Sequence, residues 1–202
     1  MILYSSATSP FVRKVLVVAR ETGLEGRLEL RPVVTSPTEP DETLRRANPL
    51  GKIPALAIDG GETLFDSRVI CEYLDGLHGG RRLLPEGGAG RWRALRLQAL
   101  ADGAVEAGLL VRYEQLLRPE AQRSVAWSEG QERKAIAAFD ALEAEAPGWP
   151  AELDLGQIAV ACAVGWFEFR APVGDLRAGR PRLFAWYDRV RERPSLRATE
   201  PR

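Results

Sequence analysis

The feature that most constrains the fold of this 202-residue chain is a change of pattern near residue 80. Before it, short strand-like apolar runs alternate with helix-like segments, whereas after it almost only helical spacing remains. The stretch HGGRRLLPEGGAG between the two halves is rich in glycine and contains a proline, a composition typical of interdomain linkers. The sequence therefore predicts an α+β domain at 1–77, a linker at 78–88 and an all-helical domain at 89–202.

The first half predicts the element order βαβ followed by ββα. MILYS at 1–5 and LELRPVV at 28–34 are predicted strands, separated by a helix from Pro10 to about Glu21. ALAI and ETLF then flank the turn residues DGG in a predicted hairpin. From Asp66, DSRVICEYLDGL returns to helical spacing. We therefore expect a sheet that begins with a parallel pair and gains an antiparallel pair.

The second half predicts a helical bundle. Asp154 is expected to cap a helix whose third residue is Gln157, which is the pattern of a reciprocal capping box ahead of a nearly apolar run. That helix is therefore expected in the core. The predicted helices, separated by proline-containing breaks, are 89–117, 120–146, 155–170 and 181–193.

Composition excludes several classes of function. The 28 basic residues balance the 28 acidic ones, so no nucleic-acid partner is indicated. No segment approaches the ~18 uninterrupted apolar residues of a membrane span, and the N-terminal residues do not resemble a signal peptide. Cys71 and Cys162 lie in apolar helical settings that favour buried, reduced thiols, so we expect a cytoplasmic protein without membrane or metal partners.

The string NPLGKIPAL at 48–56 carries the first candidate binding feature. Ile53–Pro54 stands directly before a strand, and an X-Pro bond is the only kind that adopts the cis form at low cost. A cis bond would turn the Ile53 backbone outward to pair with an extended ligand, with Lys52 facing an anionic group. A trans proline that begins an edge strand is the alternative.

Asp66 and Ser67 at the start of the third predicted helix form a second candidate. A helix N-terminus attracts a carboxylate, the Ser67 hydroxyl adds a donor, and Asp66 suits an ammonium group. Together they match the zwitterionic end of an amino acid. Simple capping of the helix by either residue is the alternative.

The stretch SSATSPFVRKVLVVA at 5–19 carries the third candidate. Pro10 is a natural first helical residue, which makes Ser9 the predicted N-cap. A serine hydroxyl can accept a hydrogen bond from its helix and still donate one to an anion held over the helix end. A thiolate is such an anion.

These motifs give the chain a family resemblance. TSPFVRK, NPLGKIPAL and FDSRVICEYL, in this order and spacing, resemble the thioredoxin-like N-terminal domain of cytosolic glutathione transferases, and bacterial serine-type members in particular. DLGQIAVACAVGWFEFR and PRLFAWYDRVRERPS are similar to helices of the family's C-terminal domain. The resemblance therefore covers essentially the whole chain.

The resemblance implies roles for individual residues. Ser9 would stabilise the glutathione thiolate as the catalytic residue, with Ser6 and Thr8 as substitutes if the register differs. Lys52 would neighbour the glycyl carboxylate, and Ile53, before a cis Pro54, would bind the cysteinyl backbone. The implied glutathione-binding set is Ser9, Phe11, Lys52, Ile53, Pro54, Asp66 and Ser67.

The resemblance also implies a homodimer and an activity. The thiolate would attack a small hydrophobic electrophile in a pocket for which Leu109, Leu110 and Tyr113 are candidates. A non-catalytic binding or regulatory protein, and a glutathione-dependent isomerase, lyase or dehalogenase, are the alternatives. A disulfide-exchange activity lacks its nucleophile, because redox members of the family carry cysteine where Ser9 stands. His78 is expected at the surface.

Overall fold

A computed structural model of the chain describes residues 1–201, which form two compact units. Unit 1 comprises residues 1–86 and the segment from Pro194 onward, and unit 2 comprises residues 87–193. The elements of unit 1 are β1 (Ile2–Ser5), α1 (Pro10–Glu21), β2 (Glu29–Pro32), α2 (Glu42–Ala47), β3 (Ala55–Ala57), β4 (Thr63–Leu64), α3 (Ser67–Gly76) and α8 (Pro194–Arg197). The elements of unit 2 are α4 (Gly88–Leu117), α5 (Val125–Glu145), α6 (Leu155–Arg170) and α7 (Pro181–Val190).

Unit 1 contains one four-stranded sheet with the strand order β2-β1-β3-β4. The pair β1–β2 is parallel, whereas β1–β3 and β3–β4 are antiparallel. Two parallel strands need a crossover connection, which α1 supplies, and the short β3–β4 connection suits a hairpin. The predicted order βαβ then ββα is confirmed, and with it the α+β, thioredoxin-like fold of this unit.

The helical domain expected at 89–202 ends earlier, because the segment after residue 193 is not part of unit 2. This segment belongs to unit 1 because α8 packs on α1. The buried guanidinium of Arg13 donates a hydrogen bond of 3.1 Å to the carbonyl of Leu196, and the Ser195 hydroxyl binds the Glu21 carboxylate. Helical spacing alone could not distinguish this short helix from a continuation of 181–193, which ends at Val190 instead.

The segment 78–88 is not a free linker, because most of it belongs to unit 1. Asp75, which is 2% exposed, accepts hydrogen bonds from the backbone N–H groups of Leu83 at 2.8 Å and Leu84 at 3.0 Å. His78 lies 3.1 Å from the same carboxylate and is partly buried rather than at the surface. The chain therefore folds back onto α3 before α4 begins at Gly88.

Unit 2 is helical, as predicted, and side-chain caps mark where α5 and α6 begin. The capping box of Asp154 and Gln157 is confirmed. The helix predicted from residue 120 begins at Val125 instead, after a 3₁₀ turn. Ser124 caps it, and the N–H of Ser124 donates to the Glu114 carboxylate at 2.7 Å.

Two glycines allow α4 and α6 to approach closely. A Cβ atom on Gly156 would lie 2.6 Å from the carbonyl oxygen of Ala94, and one on Gly108 would lie 2.8 Å from the Trp166 ring. Real Cβ atoms do not approach so closely, so the contact requires a residue without a side chain at both positions. Within residues 1–201, no helix has the length and apolar character needed to cross a membrane.

Candidate functional site

The sheet of unit 1 brings the three predicted site segments to one of its ends. The register pairs Tyr4 with Ala55 and Leu56 with Leu64. Because both strand pairs are antiparallel, the C-terminal ends of β1 and β4 lie beside the first residue of β3. The chain segments at this sheet end are 6–9 after β1, 52–54 before β3, and 66–67 after β4.

Ser9 caps α1 at this end. Its Oγ accepts a hydrogen bond of 3.3 Å from the N–H of Val12, and Pro10 occupies the first helical position, as predicted. Since this bond uses the oxygen as acceptor, the hydroxyl proton remains a donor. The first turn of α1 contains no acidic residue that would offset the positive end of the helix dipole.

Ser6 and Thr8 are arranged differently from Ser9. Their hydroxyl oxygens lie 3.5 Å apart, within reach of each other. The backbone N–H of Ser9 donates to the carbonyl of Ser6 at 3.2 Å, which closes the turn ahead of α1. Of these three hydroxyls, the Ser9 hydroxyl is the one at the N-cap position.

The segment before β3 contains the cis bond that the resemblance implies, between Ile53 and Pro54. The pairing of β3 with β1 covers residues 55–57, so Ile53 lies just outside the paired segment. Lys52 is exposed and Pro54 is buried. Ile53 and the exposed Lys52 therefore lie directly before β3, at this end of the sheet.

Two polar residues that sequence reasoning did not assign to the site hold this segment. The Asn48 side-chain amide donates to the carbonyl of Lys52 at 2.7 Å, and the Thr35 hydroxyl donates to the carbonyl of Gly51 at 3.1 Å. Asn48 stands within the string NPLGKIPAL, and asparagine before proline is a known turn signal that could have indicated it. Thr35 carries no such signal, because its role depends on a loop 16 residues away.

Asp66 and Ser67 begin α3 at the same sheet end. The exposed Asp66 carboxylate accepts a hydrogen bond of 2.9 Å from the N–H of Arg68 through Oδ1, so it caps the helix. Ser67 is the first helical residue and is 2% exposed. The capping alternative is therefore realised for Asp66, and its second carboxylate oxygen is still able to accept from an ammonium group.

The predicted electrophile residues lie on α4 of unit 2. Tyr113 stands four positions after Leu109 and three after Leu110, spacings that place side chains on one helical face, and all three residues are at least partly exposed. Burial raises the pKa of the Tyr113 phenol, an effect that the charge of Arg112 opposes. Phe11, on α1 of unit 1, is also partly exposed.

Family models match both halves of the chain. The model for the glutathione S-transferase N-terminal domain matches residues 3–82, and that for the C-terminal domain matches residues 125–189. The chain belongs to the glutathione S-transferase family. Membership accounts for the thioredoxin-like unit 1 and the helical unit 2.

The similarity of this chain to other proteins, in sequence and in structure, supports this family assignment. The "Uncharacterized GST-like protein YibF" of Escherichia coli (strain K12) is 35% identical, over 100% of this chain and 98% of its own length. A crystal structure of a glutathione transferase family member from Pseudomonas fluorescens Pf-5, with bound glutathione, is 46% identical. Its TM-score is 0.97, and the match covers 100% of this chain and 98% of that one.

Two further structures in this family contain related ligands. A second structure from Pseudomonas fluorescens Pf-5, with bound S-(propanoic acid)-glutathione, is 44% identical, with a TM-score of 0.92 and coverage of 100% and 99%. A glutathione S-transferase from Methylobacillus flagellatus KT with glutathione bound is 34% identical. Its TM-score is 0.88, and the match covers 100% of this chain and 99% of that one.

The side chains of residues 1–201 form no grouping that could hold a metal ion. Among residues 1–201, no three His, Cys, Asp or Glu side chains are close enough together to hold an ion. Cys71 and Cys162 are both buried within helices, as predicted. The polar groups described above at the end of the sheet of unit 1 include the Ser9 hydroxyl, Lys52 and Asp66.

Proposed function

We propose that this protein is a glutathione transferase that binds glutathione at the sheet end of unit 1 and uses Ser9 to stabilise the thiolate. The observation that carries the proposal is that Ser9, with an available O–H donor, lies at the same sheet end as segments 52–54 and 66–67. Glutathione bound to similar family members supports the choice of ligand. We also propose that the protein is a bacterial serine-type member of the family.

Each part of glutathione would meet a group of matching chemistry. The Ile53 backbone would pair with the cysteinyl backbone in the manner of an added strand. Lys52 would attract the glycyl carboxylate. Asp66 would attract the γ-glutamyl ammonium, while Ser67 and the N-terminus of α3 would attract its carboxylate. Phe11, next to the α1 cap, would contribute apolar contact.

Thiolate formation is the step that requires the protein. A cysteine thiol with a pKa near ~8.5 is only a few per cent ionised at neutral pH, and a decrease of roughly two units stabilises the thiolate by about 2.7 kcal/mol. The Ser9 O–H and the positive end of α1 would supply that stabilisation. The thiol proton would pass to solvent, the sulfur would form a bond to an electrophilic carbon, and the leaving group would depart with its electron pair.

The decisive experiment is a pH titration of the ultraviolet thiolate absorbance of bound glutathione in wild type and Ser9→Ala. We expect a decreased thiol pKa in wild type that returns towards ~8.5 in the variant. Ser6→Ala and Thr8→Ala should leave the decreased value unchanged. If either of these abolishes it while Ser9→Ala does not, the catalytic assignment to Ser9 is wrong.

Loss of the helix cap requires its own control, because Ser9→Ala also removes a bond that stabilises α1. Ser124 is a matched residue, since its Oγ accepts from the N–H of Trp127 at 3.3 Å, the distance found at Ser9. Each cap is worth about 1 kcal/mol. Ser124→Ala should therefore lose similar stability without changing the thiol pKa.

The same titration distinguishes one of the two alternatives from the proposed function. A non-catalytic binding or regulatory protein would bind no glutathione at millimolar concentration, or would bind it with an unshifted thiol pKa. An isomerase, lyase or dehalogenase would show the same thiolate and differ only in its electrophile. The electrophile pocket at Leu109, Leu110 and Tyr113, the homodimer and the cytoplasmic location stay predictions.

A further inference from the structure

We propose that Asn48 is a positioning residue of the glutathione site, and that it acts by orienting the backbone N–H of Ile53. The inference rests on the proposed function, because it explains how this chain would hold glutathione. Asn48 would not contact the ligand itself. Its side chain is 2% exposed and bonds to the loop that leads to Ile53.

The Asn48 side chain uses both of its ends within one short loop. Its Nδ2 donates to the carbonyl of Lys52 at 2.7 Å, and its Oδ1 accepts from the N–H of Leu50 at 3.1 Å. Its backbone carbonyl also accepts from the N–H of Gly51 at 2.8 Å. A buried amide that is bonded at donor and acceptor fixes the loop around it.

Because the peptide group is planar, the hydrogen bond from Asn48 to the Lys52 carbonyl also fixes the direction of the Ile53 N–H. The carbonyl of Lys52 and the N–H of Ile53 belong to the same peptide unit, which is planar and trans, so the two groups point in opposite directions. When Asn48 holds the Lys52 carbonyl on the loop side, the Ile53 N–H must point away from the loop. That N–H is the donor that would pair with the cysteinyl part of glutathione.

The preceding peptide is held in the same way. The Thr35 hydroxyl donates to the carbonyl of Gly51, so two consecutive carbonyls accept from side chains. Gly51 has a φ of +61°, a conformation that residues with a Cβ adopt rarely. The loop therefore has a defined conformation that depends on Asn48, Gly51 and Thr35 together.

The loop is also tied to the sheet. The backbone N–H of Asn48 donates to the carbonyl of Leu44 at 2.7 Å at the end of α2. Leu44 is fully buried and packs in a cluster with Tyr4 of β1 and Ala55 of β3. Asn48 thus connects Leu44, which packs against the sheet, to the peptide unit that contains the Ile53 N–H.

The test measures glutathione affinity by calorimetry, and the thiol pKa of bound glutathione, on the full chain. Asn48→Ala removes both side-chain bonds, whereas Asn48→Asp keeps the acceptor for Leu50 and loses the donor to Lys52. We expect both variants to raise the dissociation constant for glutathione on the order of tenfold. The thiol pKa of the bound ligand should stay at the wild-type value, because Ser9 is unchanged.

Asp75→Asn is the matched control for a purely structural effect. Asp75 is equally buried, lies in the same unit and also makes two side-chain hydrogen bonds to a loop, in its case from the N–H groups of Leu83 and Leu84. The control should lose thermal stability without loss of glutathione affinity. If Asp75→Asn weakens binding as much as Asn48→Ala at equal loss of stability, the positioning role is wrong.

The remaining outcomes separate the two proposals. Wild type that binds glutathione, together with Asn48 variants that bind it equally well, overturns the positioning role alone. Wild type that binds no glutathione overturns the proposed function and the positioning role together. If the Asn48 variants do not fold, Thr35→Val decides, since unchanged affinity in that variant also overturns the inference.

Discussion

Replacing Gly156 by alanine tests the contact between α4 and α6 most directly. The new Cβ would lie 2.6 Å from the carbonyl oxygen and 2.9 Å from the Cα of Ala94, and 2.9 Å from the Cβ of Leu97. Two of these atoms are backbone and cannot rotate away, so the helices must move apart. Overpacking of this kind costs about 1–3 kcal/mol. Gly156→Ala should therefore lower the stability of unit 2 despite the better helix propensity of alanine.

Gly103→Ala is the matched control within the same unit. Gly103 is exposed in the interior of α4, and a Cβ there would meet nothing within 4 Å. Only the conformational effect remains, which favours alanine by about 0.5–1 kcal/mol. The two substitutions are chemically identical, and the structure predicts opposite signs for them.

Tryptophan fluorescence during urea unfolding measures both effects. All five tryptophans, at 92, 127, 149, 166 and 186, lie within unit 2, so the signal reports that unit. With a urea slope of about 1–3 kcal/mol per molar, the unfolding midpoints of the two variants should differ by roughly 1 M. If Gly156→Ala is as stable as Gly103→Ala, the close approach of α4 and α6 is wrong.

Two further predictions concern charged residues. Burial opposes ionisation of Glu143, yet hydrogen bonds from the Arg182 side chain and the backbone of Leu183 and Arg182 lower its pKa. The ionised Glu143 therefore contributes its full stabilisation above about pH 4.5, and this contribution is lost as the pH falls through the lower pKa of the folded state. In a pH series of thermal melts, Glu143→Gln should lose less stability than wild type on the acid side. Lys52→Ala should raise the KM for glutathione on the order of tenfold at unchanged kcat. Lys134→Ala is the control, and equal effects in the two lysine variants would refute the role of Lys52.

Much of the fold could be predicted because its signals are local. Pro10 after Ser9 predicts a capped helix from two adjacent residues, and the three-residue spacing of Asp154 and Gln157 predicts the capping box. The order of strands and helices follows from the period of apolar residues. These predictions needed only the positions of neighbours along the chain.

The residues of the candidate site differ in how far sequence motifs indicate them. Ser9, Lys52, Ile53 and Asp66 were identified from motifs, and the structure brings their segments to one sheet end through the pairing of β3 with β1 and β4. Thr35 was missed, because its contact with Gly51 depends on how two loops meet. The start of α5 was misplaced for the same reason, since the Ser124 N–H bonds to Glu114 in the preceding helix.

The sequence by itself determined the type and order of most elements, the caps of α1 and α6, and the groups that we propose bind glutathione. Only the tertiary structure decided that the segment after residue 193 joins unit 1, through Arg13 and Leu196, which stand 183 positions apart. It also decided that the Asn48 side chain donates a hydrogen bond to the carbonyl of Lys52. The physical reason is that propensities and caps act within a few residues, whereas packing and buried hydrogen bonds depend on distances that exist only once the chain is folded.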